Sequence, residues 1–350
     1  MKDSIRVLVV DDSVVVRTIL VSMLRSVPGF DVIGEARDGL EAVEMVGRLH
    51  PDVVTMDIRM PRMNGLEATR QIMRTTPTPI VVVATSIYES DLNIAFAAIE
   101  AGALTVVEKP KGLSPEDFEA VRDQLVTAVR LMADVHVVTL WTPERQMPDA
   151  SRRPITPPRP VVRPEMVAIG ASTGGPGVLH EILSKLPVDY SLPVAAVQHI
   201  TPGFGPGFAH WLDSITPLSV GVATEGERLV PGRVYIAPDD VHLTIAKGGM
   251  VHLENSPPLS GRRPSVTRLF ETVAASYGAK ALAVILTGMG DDGADGLVAL
   301  RRSGGRVIAQ TEESCVVFGM PKVAIDRGIV DQVLGPGEIA SLLLALDGRR

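Results

Sequence analysis

A proline-rich stretch in the middle of the chain most constrains how this sequence can fold. Seven of the 27 prolines lie in Trp141–Pro164, which reads WTPERQMPDASRRPITPPRPVVRP. Proline fixes φ and lacks a backbone N–H, and the apolar residues of this stretch show no helix or strand period. Such a composition is typical of a semi-extended linker. The stretch separates about 140 from about 190 residues, both ordinary domain sizes, so we predict two domains.

The composition of the 350 residues predicts a folded chain in a reducing compartment. The hydrophobic fraction is 45%, which is enough to bury real cores and excludes wholesale disorder. A single cysteine, Cys315, excludes an intrachain disulfide and a cysteine-based metal cluster. The first apolar run stops at Asp11, too early for a signal peptide or a membrane span. We therefore expect a cytoplasmic protein that is not inserted in a membrane.

The net charge of −7 is spread evenly over the two predicted halves. Residues 1–161 carry 18 basic and 22 acidic side chains, and residues 162–350 carry 16 and 19. Neither half is a basic module of the kind that binds a polyanion. The charge distribution therefore argues against nucleic acid as a partner and against a transcriptional regulator, one of two alternative classes.

The first part of the chain alternates short apolar runs with helical patterns. The apolar runs are Ile5–Val10, Val32–Gly34, Val53–Met56, Ile80–Ala84 and Leu104–Val107. The helical patterns are Val14–Leu24, Gly39–Leu49, Gly65–Arg74, Leu92–Ala101 and Phe118–Met132. Five such units predict an α/β domain, a doubly wound (βα)5 fold with a parallel sheet covered on both faces.

The second part repeats this alternation less evenly. The predicted strands are Met166–Gly170, Val194–Val197, Ala281–Leu286 and Arg306–Gln310. The predicted helices are Pro176–Leu186, Gly207–Leu212, Val266–Tyr277 and Asp295–Ser303. The segment Val220–Leu253 is strand-rich, and Lys247–Met250 has the composition of a hairpin turn. We predict a second doubly wound, mainly parallel α/β domain with a β-hairpin.

Polar side chains follow four strands of the first domain. Asp11 and Asp12 end the first strand, Asp57 the third, Thr85 the fourth and Lys109 the fifth. Because ligand sites of open parallel sheets lie beyond the carboxyl ends of the strands, these side chains are expected to converge. Converging carboxylates suit Mg²⁺, and a hydroxyl with a lysine suits a phosphoryl group. Single aspartates here are also ordinary helix N-caps, but all four strand ends together favour a phosphoryl-transfer site with Asp57 as acceptor.

The motifs VLVVDDS, MDIRMPRMNGLEA, VVVATS and EKP stand in this order at the spacing of a known family. Residues 3 to about 122, with a last helix to about 133, resemble a response-regulator receiver domain. The resemblance implies phosphorylation of Asp57 by a histidine kinase. It also implies a Mg²⁺ site and two contacts to the phosphoryl oxygens. The Mg²⁺ ligands would be Asp11, Asp12, Asp57 and the Arg59 carbonyl, and the phosphoryl contacts would be Thr85 and Lys109.

Two positions, Val106 and Arg59, depart from the usual receiver pattern. Val106 stands three residues before the lysine, where receivers usually carry an aromatic switch residue, so the residue for an aromatic relay is missing at this position. Arg59 stands two residues after the acceptor aspartate. From its charge alone we hypothesise that Arg59 alters the lifetime of a phosphoryl group on Asp57.

The second domain begins with a strand followed by Gly170-Ala171-Ser172-Thr173-Gly174-Gly175-Pro176 and a helical pattern. As Gly-x-Ser-x-Gly, this segment fits a strand–nucleophile–helix turn that exposes the Ser172 hydroxyl. As a glycine-rich loop, it fits a phosphate at a helix N-terminus, with Asp189 as the acidic residue of a dinucleotide-dependent enzyme, the second alternative class. That loop lacks the Walker lysine and the GxGxxG spacing.

A serine nucleophile needs a base and a group that orients the base. Of the five histidines in the second domain, His199 alone ends a strand, at the same edge of the predicted sheet as Ser172. The aspartates that follow another strand end are Asp291 and Asp292, and spacing alone leaves both open, as triad members or as helix caps. The order Ser…His…Asp differs from that of the α/β-hydrolases.

The segments GASTGGP, VQHITPGF, LTGMGDDGADG and QTEESCVVFGMP carry a second resemblance. Residues 162–346, after a linker at 134–161, resemble the chemotaxis protein-glutamate methylesterases of the CheB family. The resemblance implies a triad of Ser172, His199 and Asp292, with the Met289 backbone N–H in the oxyanion hole. It implies hydrolysis of glutamate γ-methyl esters on chemoreceptors without a cofactor, and deamidation of some receptor glutamines. It also implies that the unphosphorylated receiver inhibits the catalytic domain.

Overall fold

The computed structural model describes residues 4–84, 96–99, 101–110, 115–133, 135 and 162–347. The chain divides into two compact units, Met1–Gln146 and Met147–Arg350. Nearly all of the predicted linker at 134–161 lies outside the described residues, so the exact domain boundaries stay predictions. Among the helices that the structure describes, none is both long enough and apolar enough to cross a membrane.

The N-terminal unit contains a five-stranded parallel sheet with strand order β2-β1-β3-β4-β5. The strands β3 and β4 are buried at every residue, which explains why they read as unbroken apolar runs. The strands are β1 Ile5–Val10, β2 Phe30–Ala36, β3 Val53–Asp57, β4 Ile80–Ala84 and β5 Thr105–Glu108. This sheet confirms the predicted doubly wound class.

The helices of the N-terminal unit follow the predicted alternation. Helix α1 is Val14–Arg25, α2 is Gly39–Leu49, α3 is Gly65–Thr75 and α4 is Pro115–Met132. Of the predicted helix Leu92–Ala101, residues 96–99 are helical, whereas residues 92–95 and 100 lie outside the described residues. Helices α1, α2 and α3 each begin after an Ser, Asp or Asn side chain that accepts a hydrogen bond from a first-turn N–H.

Helix α3 starts in close contact with the end of strand β3. The Gly65 N–H donates to the Ile58 carbonyl at 2.9 Å. A Cβ on Gly65 would lie 2.0 Å from the Asp57 carbonyl oxygen, so only glycine fits at this position. This contact fixes the backbone on which the Asp57 carboxylate is carried.

We expect Gly65→Ala to destabilise the N-terminal unit by about 3 kcal/mol, because the added methyl must displace backbone atoms. Gly47→Ala is the matched control, since it lies in α2 with nothing within 4 Å of an added Cβ. That control should raise stability by roughly 0.5–1 kcal/mol. Urea unfolding followed by circular dichroism measures both changes. Equal midpoints for Gly65→Ala and the unaltered chain would contradict the expectation.

The C-terminal unit contains a seven-stranded parallel sheet with strand order β14-β13-β12-β6-β7-β9-β8. Strands β6, β7 and β12 are buried at every residue and form its centre. The strands are β6 Met166–Ala171, β7 Val194–Gln198, β8 Ser219–Val222, β9 Arg233–Ile236, β12 Ala281–Ile285, β13 Arg306–Gln310 and β14 Gln332–Leu334. The predicted doubly wound, mainly parallel architecture is confirmed.

A separate antiparallel hairpin completes this unit. It pairs β10, His242–Ala246, with β11, Met250–Glu254. Because Ala246 pairs with Met250, the loop has three residues, Lys247–Gly249, and its two glycines, Gly248 and Gly249, have positive φ of 79° and 74°. The apolar face of the hairpin packs on the helix Val266–Tyr277 in one buried cluster. The predicted hairpin is therefore confirmed, except that Met250, predicted in the turn, is the first residue of β11.

The side of the seven-stranded sheet to which the chain adds its strands changes at β6. From β6 the chain first forms β7, then the edge strand β8, and then β9 between these two, all on one side, and later forms β12, β13 and β14 on the other. The crevice beyond the carboxyl ends of strands at such a switch point is where open α/β sheets bind ligands. The loops that follow β6, β7 and β12 meet at this crevice.

Some helix boundaries differ from those that the sequence predicts. The helix expected at Pro176–Leu186 is Gly175–Leu183, because the chain turns ahead of Pro187 and the residue before proline disfavours helix. The helix expected at Gly207–Leu212 extends over Gly205–Ile215, with proline in its first turn. The other helices of this unit are Val266–Tyr277, Ala294–Arg302, Met320–Asp326 and Pro336–Leu346.

Candidate functional site

Two acidic side chains and one lysine meet at the carboxyl edge of the first sheet. The Lys109 Nζ lies 2.8 Å from Asp11 Oδ2 and 2.8 Å from Asp57 Oδ1. Asp11 follows β1, Asp57 ends β3 and Lys109 follows β5, as the sequence predicts. The neighbouring Asp12 is exposed, and carboxylate oxygens of all three aspartates lie within 4.8 Å of one another.

Burial and charge act in opposite directions on these groups. Burial raises the pKa of Asp57 to about 6, against the attraction of Lys109, which lowers it. Burial alone would lower the pKa of Lys109, but the negative charges of Asp57 and Asp11 outweigh it and raise that pKa. A charged lysine therefore faces a carboxylate whose negative charge is held in a largely buried place, which suits a phosphoryl acceptor.

The residues present fit a divalent cation. Asp57 Oδ2 is buried and accepts no hydrogen bond from any residue that the structure describes. An unpaired buried carboxylate oxygen is costly, and a cation held by carboxylates of Asp11, Asp12 and Asp57 would satisfy it. The sequence prediction of a Mg²⁺ site at these three residues is consistent with this geometry.

Of the other predicted residues near this site, the structure describes Arg59 and Val106 but not Thr85. Thr85 follows β4 but lies outside the described residues. Arg59 has an exposed side chain, and the roles of its carbonyl and of its charge stay predictions. Val106 is buried in β5, where it pairs with Val82 of β4, and is only 4% exposed.

A second group of side chains meets at the crevice of the second sheet. His199 Nε2 lies 2.9 Å from Asp292 Oδ2, and both side chains are nearly buried. Ser172 follows β6, His199 follows β7, and Asp292 lies in the loop after β12. The backbone N–H of His199 donates to the Ala171 carbonyl at 2.9 Å, which connects the start of the His199 loop to the residue before the serine.

The nucleophile candidate lies in a tight turn. Gly174 follows with φ of 79° and caps the helix Gly175–Leu183. The Ser172 carbonyl accepts hydrogen bonds from Gly175 N at 2.8 Å and from Gln198 Nε2 at 2.7 Å. Gln198 Nε2 also donates to the His199 carbonyl at 2.8 Å. The amide of Gln198 therefore connects the serine turn with the histidine loop.

The loop after β12 packs directly against the serine. The Ser172 N–H donates to the Thr287 carbonyl at 3.0 Å, and a Cβ on Gly288 would lie 2.6 Å from Ser172 Cβ. Met289 comes next, and its backbone N–H donates to no acceptor within the part of the chain that the structure describes. This placement is consistent with the predicted oxyanion role of that N–H.

The two adjacent aspartates differ in burial and in contacts. Asp291 has an exposed side chain, whereas Asp292 is buried and contacts His199. Burial by itself would raise the pKa of Asp292, but hydrogen bonds from His199, Thr267 and Val266 outweigh it and hold that pKa well below its usual range. Asp292 therefore stays ionised, which is consistent with the predicted role of orienting a histidine base.

The two ring nitrogens of His199 have different surroundings. Its Nε2 faces Asp292, and its Nδ1 is buried without a hydrogen-bond partner among the described residues. A buried acceptor without a donor is suited to accept a proton from a substrate or a nucleophile. Nδ1 is therefore the nitrogen available for proton transfer.

Two polar residues of the site escape prediction from the sequence. Gln198 is the last residue of β7, directly before His199, and gives no pattern signal of its own. Ser265 donates from its hydroxyl to Asp292 Oδ1 at 2.8 Å. A serine directly before an apolar helical run is an N-cap signal, but that signal does not indicate a contact with an aspartate 27 residues later.

The fold and these sites define a two-domain chain that combines a receiver-type carboxylate–lysine site with a serine–histidine–aspartate site. The family model described as response regulator receiver domain matches residues 7–130, and that described as CheB methylesterase matches residues 167–343. The chain belongs to the CheB family of protein-glutamate methylesterases/protein-glutamine glutaminases, because curated relatives of that name are similar to it over nearly their whole length.

The relatives match over nearly their whole length. A "Protein-glutamate methylesterase/protein-glutamine glutaminase 4" of Myxococcus xanthus is 48% identical over 97% of this chain and 96% of its own. A protein of the same name from Geobacter metallireducens is 47% identical over 98% and 99%. The crystal structure of the Thermotoga maritima CheB methylesterase catalytic domain matches with a TM-score of 0.51 and 44% identity. It covers 53% of this chain and 100% of its own.

Proposed function

We propose that this protein hydrolyses glutamate γ-methyl esters on chemoreceptors, releases methanol, and deamidates specific receptor glutamines, under control of phosphorylation at Asp57. The contact of 2.9 Å between His199 and Asp292, beside Ser172 at the switch point of the second sheet, carries the proposal. The names of the curated relatives and the receiver match support it. No cofactor takes part in the ester hydrolysis.

The first half of the reaction forms an acyl-enzyme. His199 Nδ1 takes the proton of the Ser172 hydroxyl as the oxygen attacks the ester carbon. The Met289 N–H donates to the developing oxyanion, a contribution of about 3 kcal/mol for one donor. The bond between the acyl carbon and the methoxy oxygen then breaks, and His199 returns the proton to the leaving methanol.

The second half regenerates the enzyme. His199 takes a proton from water, whose oxygen attacks the acyl carbon, and the bond to Ser172 breaks as the serine recovers its proton. The product is a glutamate side chain. The same groups act on a glutamine side chain, with ammonia as the first leaving group in place of methanol. Asp292 holds the imidazole and stabilises its cationic form in each step.

The receiver site controls this activity. The phosphoryl group would pass from a histidine kinase to the Asp57 carboxylate, with Thr85 and Lys109 in contact with its oxygens. Asp11, Asp12, Asp57 and the Arg59 carbonyl would hold Mg²⁺, which when bound neutralises charge on the transferring group. Phosphorylation adds roughly two negative charges at the edge of the sheet. We propose that the partners are a histidine kinase and cytoplasmic helices of chemoreceptors, and not nucleic acid.

Release of methanol from methylated receptors tests the proposal. Membranes that carry radiolabelled methylated receptors are incubated with the protein, with and without acetyl phosphate and Mg²⁺. We expect release of labelled methanol that rises with the phosphodonor, and no release from receptors labelled elsewhere. Absence of methanol release in both conditions would contradict the esterase function. Equal methanol release with and without the phosphodonor would contradict the regulation only.

A further inference from the structure

Ser265 links the N-terminus of the helix Val266–Tyr277 to the carboxylate of Asp292. It is fully buried and is the N-cap of the helix Val266–Tyr277. Its hydroxyl oxygen accepts from Arg268 N at 3.3 Å and donates to Asp292 Oδ1 at 2.8 Å. Because an N–H cannot accept, the hydroxyl proton is directed to the carboxylate.

Four donors fill the Asp292 carboxylate, two on each oxygen. Oδ1 accepts from the Ser265 hydroxyl and from Thr267 N at 2.9 Å. Oδ2 accepts from His199 Nε2 at 2.9 Å and from Val266 N at 2.8 Å. Because each carboxylate oxygen accepts two hydrogen bonds, the carboxylate is held in one orientation. In that orientation Oδ2 faces Nε2 of the imidazole.

A histidine outside the triad holds the backbone of Ser265. His242 is fully buried, and its Nδ1 accepts a hydrogen bond from Ser265 N at 3.1 Å. Its Nε2 lies 3.2 Å from the Pro257 carbonyl, which can only accept, so Nε2 carries the proton. His242 thus presents one fixed tautomer to Ser265, and the hairpin that carries His242 supports the end of the helix.

We propose that Ser265 is a positioning residue for the reaction, which extends the triad to a chain of Ser172, His199, Asp292 and Ser265. It acts through Asp292 and does not touch the substrate. The inference rests on the proposed esterase function. Of the four donors to Asp292 that the structure describes, Ser265 is the side-chain donor besides the histidine itself, so a point substitution removes it without altering the backbone amides.

The test separates the donor role of Ser265 from its capping role. Ser265→Gly removes the hydroxyl, yet glycine remains an acceptable N-cap. Ser265→Thr keeps the hydroxyl. Thr272→Val is the matched control, because Thr272 lies in the same helix and accepts from Ile245 N at 3.1 Å without contacting the triad. The kinetic constants kcat and KM for methanol release, and the midpoint of urea unfolding, are measured for each full-length variant.

We expect Ser265→Gly to lower kcat by about tenfold to a hundredfold with KM unchanged, since a hydrogen bond to a charged group is lost in the step that uses His199. Ser265→Thr should keep kcat within about threefold of the unaltered protein. Thr272→Val should lower the urea midpoint and leave kcat as it was. A merely structural role of Ser265 would lower the midpoint alone.

Two outcomes would overturn the inference. One is an unchanged kcat for folded Ser265→Gly, and the other is an equal loss of kcat in the Gly and Thr variants. If Ser265→Gly does not fold, Ser265→Cys replaces it, since the thiol has nearly the size of the hydroxyl but is a weak donor. Failure of the esterase function itself would appear separately, as absence of methanol release from the unaltered protein.

Discussion

The Ser172→Ala variant is expected to lose methanol release by roughly a millionfold, down to the rate that substrate binding and the oxyanion donor alone support. The reason is that the proposed nucleophile is the Ser172 hydroxyl, whose backbone is held in the turn between β6 and its helix by Thr287 and Gln198. The methyl side chain of alanine fits the same turn, so the fold should be kept. Labelled methanol and circular dichroism measure the two properties. Full activity of this variant would refute the acyl-enzyme mechanism.

The same assay separates the two adjacent aspartates. Asp292→Asn should lower kcat by about ten-thousandfold, because a neutral amide does not stabilise the imidazolium and favours the wrong tautomer. It should also lower stability by about 1–3 kcal/mol, since its NH₂ group would face N–H donors. Asp291→Asn is the matched control: its side chain is exposed, and its activity should stay within about twofold. The reverse pattern would assign the triad to Asp291.

The Asp57→Asn variant is expected to lose the whole response to the phosphodonor. An amide oxygen is a poor nucleophile and carries no charge, so neither phosphoryl transfer nor Mg²⁺ binding proceeds as it does with the carboxylate. The measurements are acid-stable but base-labile incorporation of labelled phosphate, and stimulation of methanol release by acetyl phosphate. Both should fall to background.

A matched control for Asp57→Asn lies on the same sheet. Asp31→Asn removes an exposed carboxylate from β2, at a position that pairs with Arg6 near the amino end of β1 and away from the phosphoryl site. It should keep both labelling and stimulation. Stimulation that persists in Asp57→Asn would show that the phosphodonor acts at another residue.

Those site residues that lie at strand ends could be predicted from the sequence. The carboxyl ends of parallel strands lie at the same edge of a sheet, so side chains at the ends of β1, β3 and β5 are expected to approach one another. The 2.8 Å contacts of Lys109 with Asp11 and Asp57 agree with that expectation. The same argument brings Ser172 and His199 to neighbouring strand ends. Periodicity and topology suffice here because each residue lies directly at the end of a buried strand.

The aspartate of the second site shows where that argument stops. Asp291 and Asp292 follow the same strand and differ by one position, and only the course of the loop decides which one turns inward. Gly290 and Gly293, with φ of 87° and 100°, bend the loop so that Asp292 enters the crevice. The sequence motif of the family indicates the same residue, but spacing alone does not.

The amino-acid sequence by itself determined the two doubly wound domains, the acidic strand ends, and the candidates Ser172, His199 and Asp57, because these follow from periodicity and from short motifs. The tertiary structure alone decided that Gln198 joins the serine and histidine loops and that Ser265 and His242 support Asp292. Those contacts join residues that are distant along the chain, and their hydrogen bonds depend on side-chain directions that form only when helix, hairpin and sheet pack together.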